Sequence, residues 1–239
     1  MVSVLNVDFV SISLDKLVIE LSKRIKLSQK TFIVTANPEI VMYGNKDSDY
    51  LKMINSADYV IADGYGIILA SKILGNELPE RIAGFDLMNT LLAKGNEEKW
   101  SVYFLGAKEE VIDKAVKNIQ DQYPDLNIVG WQNGYVDVHS EELKKNIASK
   151  NPDLIFVGLG FPKQEKWIAE SIPLFNKGIF MGVGGSFDVW AGAVKRAPES
   201  WQKLHLEWLY RLLQEPKRWR RMTVLPIFVL KVVKERFKN

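Results

Sequence analysis

Cysteine is missing from this 239-residue chain. That excludes disulfides and every thiolate metal site, and it suits a reducing compartment. Histidine is nearly missing too, with only His139 and His205, too few for a histidine-rich metal site. No uninterrupted apolar run approaches the roughly 20 residues that cross a bilayer. The opening MVSVLNVDFVSISLDK has no basic leader and carries Asp8 inside its apolar stretch, unlike a secretory signal. A cytoplasmic protein is therefore expected. The chain also lacks a P-loop and a strict G-x-G-x-x-G after its first apolar segment, which removes the usual ATPase and dinucleotide signatures. What is present, 47% apolar and 26% charged residues, is ordinary for a globular domain.

Charge is unevenly divided. Residues 195–239 hold 12 Lys/Arg against 4 Asp/Glu, a net of +8, whereas residues 1–194 carry −5. An acidic body with a basic tail points the tail toward something anionic.

Residues 1–194 alternate strand-like and helix-like patterns. Strands are predicted near 4–10, 31–35, 59–62, 101–105, 127–131, 153–158 and 178–183. Helical periodicity is clearest over 108–123 and 140–151. Ser140 suits the cap of the second of these helices, with carboxylates in its first turn. FIVTA and LIFVGLG are apolar without alternation, as strands covered on both faces are. The expected fold is α/β: a Rossmann-like, mostly parallel sheet with helices on both faces, followed by a helical basic C-terminal appendage. The expected division is a core over 1–194 and an appendage over 195–239.

In such a sheet the ligand lies beyond the carboxyl ends of the strands. Those ends read TANPE, ADGYG, FLGAK, GWQNG, GLGFPKQE and GVGGSFD. Every one carries Gly or Asn, and glycine lets backbone N–H groups approach a phosphate closely. Gly106, Gly134, Gly158, Gly160, Gly184 and Gly185 are the candidate nucleotide-binding positions. Gln164, in a first helical turn at this edge, can reach a pyrophosphate or a sugar hydroxyl.

Asp63 ends an apolar strand and precedes two glycines. It can cap a helix over 64–74, hold a metal, or take a proton from an attacking alcohol. Thr35 and Asn37 stand on a neighbouring strand end. Arg81 can pair with Asp63 or Glu80, or contact a diphosphate. Asp47-Ser48-Asp49 matches a metal-binding D-x-D pattern, but its context reads as a capped helix start, so no metal site is expected.

In the tail, ESWQKLHLEWLYRLLQEP reads as one amphipathic helix with Trp201, Leu204, Trp208 and Leu212 recurring at three- and four-residue steps. Pro216 should break it. The following PKRWRRMTVLPIFVLKVV flanks a short aliphatic block with cations, which suits an interfacial segment on an anionic membrane. An oligomer interface is the alternative. Nucleic acid fits poorly, because no recognised nucleic-acid module accompanies the basic residues.

TANPEIVM, ADGYGI with LPERIAGFDLM, FLGAKEEV, VGLGFPKQEKWI and the block from Gly184 to Arg221 together resemble the WecG/TagA/CpsF glycosyltransferases, in family order from about residue 4 to 222. The likeness is greatest to the branch that makes the linkage unit of wall teichoic acid. The resemblance implies transfer of N-acetylmannosamine from UDP to the 4-hydroxyl of N-acetylglucosamine on undecaprenyl diphosphate. It implies inversion to a β-1,4 linkage at the inner membrane face, with no metal or other cofactor. It maps the base onto Asp63 and polar site positions onto Thr35, Asn37, Arg81 and Gln164. Diphosphate-binding arginines map onto Arg211, Arg218 and Arg221. On one unbroken helix these three would fall within about 80° of one another; Pro216 puts that shared face in question. A homo-oligomer is also expected, its tail docking or detaching on membrane contact.

Overall fold

The computed structural model describes residues 1–216 and 219–237, without the side chains of Arg220 and Arg221. Its first apolar segment is not one strand. Leu5 and Asn6 both adopt left-handed backbone conformations, which turns the chain back on itself. Strands β1 (Val2–Val4) and β2 (Val7–Phe9) therefore form an antiparallel hairpin, pairing Val2 with Phe9 and Val4 with Val7.

The remaining strands are β3 (Lys30–Ala36), β4 (Tyr59–Ala62), β5 (Ser101–Gly106), β6 (Asn127–Gln132), β7 (Leu154–Gly158) and β8 (Gly178–Gly182). They make a six-stranded sheet in the order β4-β3-β8-β7-β5-β6, parallel throughout. Each coincides closely with its predicted segment. Between them run α1 (Leu14–Lys26), α2 (Pro38–Gly44), α3 (Ser48–Asn55), α4 (Tyr65–Leu74), α5 (Gly84–Glu98), α6 (Glu109–Gln122), α7 (Glu141–Ser149), α8 (Lys163–Ser171) and α9 (Ser186–Trp190).

Side chains alternate across the sheet and build one core on each face. Phe32, Val34, Ala36, Ile155 and Phe180 pack with the hairpin, α2, α3, α4 and α8. Ile33, Ile61, Phe104, Phe156 and Met181 pack with α1, α5, α6 and α9. Strand β3 leads into α2 on the first face, and its neighbour β8 leads into α9 on the second. Their diverging ends open the crevice where such folds bind ligands.

The tail is not one amphipathic helix. It comprises α10 (Glu199–Lys203), α11 (Glu207–Gln214), α12 (Trp219–Met222) and α13 (Val224–Arg236). Helix α10 stops because His205 turns left-handed, with Leu206 N–H donating to Trp201 C=O and His205 N–H to Gln202 C=O. This is a Schellman stop, which the unbroken apolar periodicity conceals. Helix α11 ends before Pro216, so Arg211 and Arg221 belong to separate helices, and Arg218 lies outside the described residues. Helix α13 packs against α4 and α2 and buries Phe228 and Val232 in the first core. Its other face leaves Ile227 and Leu230 exposed. Among the described residues, no helix is long and apolar enough to cross a membrane.

Candidate functional site

The register of three strands assembles the site. Parallel pairing sets Thr35 opposite Ile61 and Ala36 opposite Ala62, so the next residues, Asn37 and Asp63, leave the sheet side by side. Asp63 N–H donates to Ala36 C=O at 2.9 Å. The loop after α4 then returns along the sheet edge, where Ile82 N–H donates to Ala62 C=O at 3.0 Å. That bond brings Arg81 into the same cavity as Asp63. On the other side, Thr35 Oγ1 donates to Gly182 C=O at 3.0 Å, tying β3 to the end of β8.

These residues floor a cavity of about 440 Å³. Arg81, Glu207 and Arg211 make a charged wall, and Tyr65 and His205 stack there with ring centroids 3.8 Å apart. Leu69, Trp208, Met222, Leu225, Phe228 and Val229 add apolar lining. The tail thus supplies much of the enclosure of a site whose floor belongs to the core.

Asp63 does not cap α4. The cap position is Gly64, without a side-chain hydrogen bond, and the carboxyl stays at the cavity floor. Burial pushes the Asp63 carboxyl above its ordinary range. The Arg211 and Arg81 guanidiniums oppose the rise, Glu207 adds to it, and the Gly84 N–H opposes it. A carboxylate of raised basicity beside two cations is suited to receiving a proton from a hydroxyl. Asn37 performs the capping instead: its Oδ1 accepts from Glu39 N–H at 3.0 Å and Ile40 N–H at 3.1 Å, starting α2. Arg81 pairs with neither Asp63 nor Glu80; it donates to Glu207 Oε2 at 3.1 Å, while Glu80 accepts from Leu14 N–H.

The match to known sequences is extensive. The model of the WecG/TagA/CpsF glycosyltransferase family covers residues 2–239. The chain belongs to this family. It is 42% identical over 240 residues to the N-acetylglucosaminyldiphosphoundecaprenol N-acetyl-beta-D-mannosaminyltransferase of Staphylococcus aureus (strain MW2), covering 99% of this chain and 94% of that one. The Bacillus subtilis (strain 168) protein of the same name is 41% identical over 232 residues, covering 96% and 90%. The one from Bacillus spizizenii W23 is 43% identical over 203 residues, covering 85% and 79%.

Within this WecG/TagA/CpsF member, the sequence candidates separate into those at the cavity and those behind it. Thr35, Asn37, Asp63, Arg81, Arg211 and Gly185 line it. Gln164 is buried behind it: its Oε1 accepts from Gly184 N–H at 3.0 Å and its Nε2 donates to Glu165 at 2.8 Å. It fixes the turn after β8 from beneath. Gly106, Gly134 and Gly158 pack on one another; a Cβ on Gly106 would meet the Gly158 backbone at 2.4 Å and one on Gly134 would meet Gly106 Cα at 3.2 Å. Their glycine character is thus explained by close packing of three loops. Gly160 and Gly184 have positive φ with open space around the Cβ position. Asp47 caps α3 by accepting from Tyr50 N–H at 3.0 Å, as its context predicted. Among the described residues, no group of three or more His, Asp or Glu is arranged to hold a metal ion.

Three lining residues escaped the sequence reading, Tyr65, His205 and Glu207, and so did Arg196 beside Glu207. Arg196 forms a bidentate pair with Asp86 of α5, at 2.5 and 2.8 Å. Glu207 accepts from both Arg81 and Arg211, the latter at 3.2 Å. The Arg196–Asp86 and Arg81–Glu207 pairs span 110 and 126 sequence positions, and no local motif announces them; Glu207 and Arg211 lie one helical turn apart.

Proposed function

We propose that this family member transfers N-acetylmannosamine from UDP to the 4-hydroxyl of N-acetylglucosamine carried on undecaprenyl diphosphate, forming an inverted β-1,4 linkage. The observation that carries this reading is the shape and polarity of the cavity. The Asp63 carboxyl lines it together with Arg81 and Arg211, and the tail residues Trp208, Met222, Leu225, Phe228 and Val229 add apolar lining. A sugar joined to a lipid by a diphosphate has the same sequence of properties: a hydroxyl to deprotonate, an anion to hold, and an aliphatic chain to shelter. The names of the relatives supply the sugar.

In the proposed step, Asp63 takes the proton of the acceptor hydroxyl as its oxygen attacks the anomeric carbon. The bond from that carbon to the UDP oxygen breaks, and UDP departs with the electron pair. Arg81 and Arg211 meet the charge that develops on the diphosphate. By family resemblance Arg221 joins them, as does Arg218. Gln164 acts through the Gly184 turn, and the glycine turns after β5, β7 and β8 form the edge assigned to the nucleotide. Thr35 ties β3 to the end of β8 at the base of the crevice.

The tail, residues 195–239, is proposed as the part that meets the membrane, peripherally and on its inner face. Leu213, Trp219, Ile227, Leu230 and Phe237 are exposed apolar residues on it. Each Lys or Arg near an anionic leaflet adds roughly 1 kcal/mol of attraction. A homo-oligomer is the second reading of the same exposed face. Sedimentation with and without anionic vesicles separates the two: membrane binding predicts co-sedimentation with vesicles, whereas assembly predicts a lipid-independent increase in mass.

Donor identity is tested with a panel. UDP-N-acetylmannosamine, its uronic acid counterpart and UDP-glucose are each incubated with a short-chain diphosphate-linked GlcNAc acceptor. The reading predicts UDP release with the first only. Release with another sugar instead moves the enzyme to a different surface polysaccharide, and release with none makes it a nucleotide-sugar sensor.

A further inference from the structure

The Glu207 carboxylate stands where an anion of different shape would fit better. Its side chain is 11% exposed. Oε2 accepts from Arg81 on the core, and Oε1 accepts from Arg211 one helical turn ahead. A third donor faces it and goes unused. Arg196 Nε lies 3.8 Å from Glu207 Oε1, too far for a hydrogen bond, and it is buried without a hydrogen-bond partner. The other two nitrogens of that guanidinium are fixed on Asp86, so the group cannot turn to correct this. Three guanidiniums from three different segments thus converge on a planar group with two oxygens. Both described arginines that line the cavity are engaged by this one side chain.

We propose that Glu207 is an internal stand-in for the diphosphate of the substrate, holding Arg81 and Arg211 beside Arg196 until that diphosphate displaces it. A substrate diphosphate presents four non-bridging oxygens, enough for all three guanidiniums, and arginine recognises carboxylate and phosphate through the same fork geometry. The site is therefore already assembled around a carboxylate of the chain itself, and the incoming anion exchanges for it. Displacement also releases the contact through which α11 is fastened to Arg81. The inference rests on the reading that a diphosphate-bearing substrate enters this cavity. It adds to that reading a competitor for the anion site and a third arginine within it.

The full chain is titrated calorimetrically with inorganic pyrophosphate, as wild type and as Glu207→Gln. Removing the competing negative charge should tighten pyrophosphate binding by about tenfold, because the arginines no longer have to leave a charged partner. Unchanged or weaker binding in the variant overturns the proposal and makes Glu207 a simple brace. A second measurement does not depend on the variant folding. Trp208 follows Glu207 and lines the cavity, so saturating pyrophosphate should change wild-type fluorescence by an amount that Trp208→Phe abolishes. No change at saturation also overturns it. Neither measurement uses sugar or lipid, so failure of the sugar-transfer reading appears separately, as absent UDP release by the wild type.

Discussion

Phe228→Ala separates docking of the tail from folding of the core. Helix α13 buries two side chains fully, Phe228 at 1% exposure and Val232 at 0%, while Leu230 between them is 69% exposed. Burying such a side chain contributes about 1.5–3 kcal/mol, and truncating a buried Phe to Ala costs about 3–5 kcal/mol. The loss is comparable with all that these two anchors supply, so α13 should undock as a unit. The link from Arg236 to Leu74 C=O, at 3.2 Å, is too exposed to hold it alone. The six-stranded sheet does not depend on Phe228 for its pairing and should survive. Three kcal/mol corresponds to roughly a 100-fold rise in the open population. Where opening equilibrates faster than cleavage, tryptic cutting at Lys231 and Lys234 should accelerate by a similar factor. Phe228 also lines the cavity, so turnover should fall in parallel. Leu230→Ser, on the same helix, should shift stability by no more than about 0.5 kcal/mol while weakening vesicle binding. Equal proteolysis and equal turnover in Phe228→Ala and wild type would refute this account of the tail.

Other predictions concern single groups. The acid limb of the turnover profile should lie above the ordinary carboxylate range of about 4, because burial raises Asp63; a limb at or below that range contradicts the assignment. The same shift has a stability consequence. A carboxyl whose folded pKa is raised stabilises the fold least once pH has climbed past that value, since the native state must then hold an unfavourable charge. Asp63→Asn should therefore melt higher than wild type at neutral pH, with the gain fading as pH falls through the raised value toward the unfolded one. Gln164→Ala leaves Gly184 N–H and Glu165 without their partner, and should lower stability by about 1–3 kcal/mol in a urea titration. A cost near zero would mean the turn after β8 does not rely on it.

The parallel sheet was legible because its strands other than the edge strand β6 are largely apolar and buried and because glycine or asparagine follows at each carboxyl end, a pattern that few alternatives share. Asp63 was legible for a related reason: a carboxylate ending a buried strand is costly unless it faces a ligand or a partner. Two features were hidden by sequences that lack the usual punctuation. Leu5-Asn6 forms a tight turn without glycine or proline, and His205 ends α10 inside a periodic apolar stripe. In each case a left-handed residue of ordinary type interrupts a pattern that reads as continuous. Only the i,i+4 spacing of Glu207 and Arg211 is local; the approach of Arg81 and Arg196 to Glu207 could not be read. It depends on where the tail lands on the core, which is settled by packing of α13 and by the Arg196–Asp86 pair rather than by local spacing. The glycine-rich loops proposed as the nucleotide edge were legible as strand-end turns, and three of their glycines are accounted for by loop packing.

Asp63 is proposed as the base of a sugar transfer to a lipid diphosphate. The direct test compares wild type with Asp63→Asn, using UDP-N-acetylmannosamine and a short-chain diphosphate-linked GlcNAc, and measuring released UDP and disaccharide together. The account predicts one UDP per disaccharide for wild type. For the variant it predicts turnover lowered by about 100-fold or more, with UDP affinity and fold retained. Near-normal turnover in Asp63→Asn would contradict it.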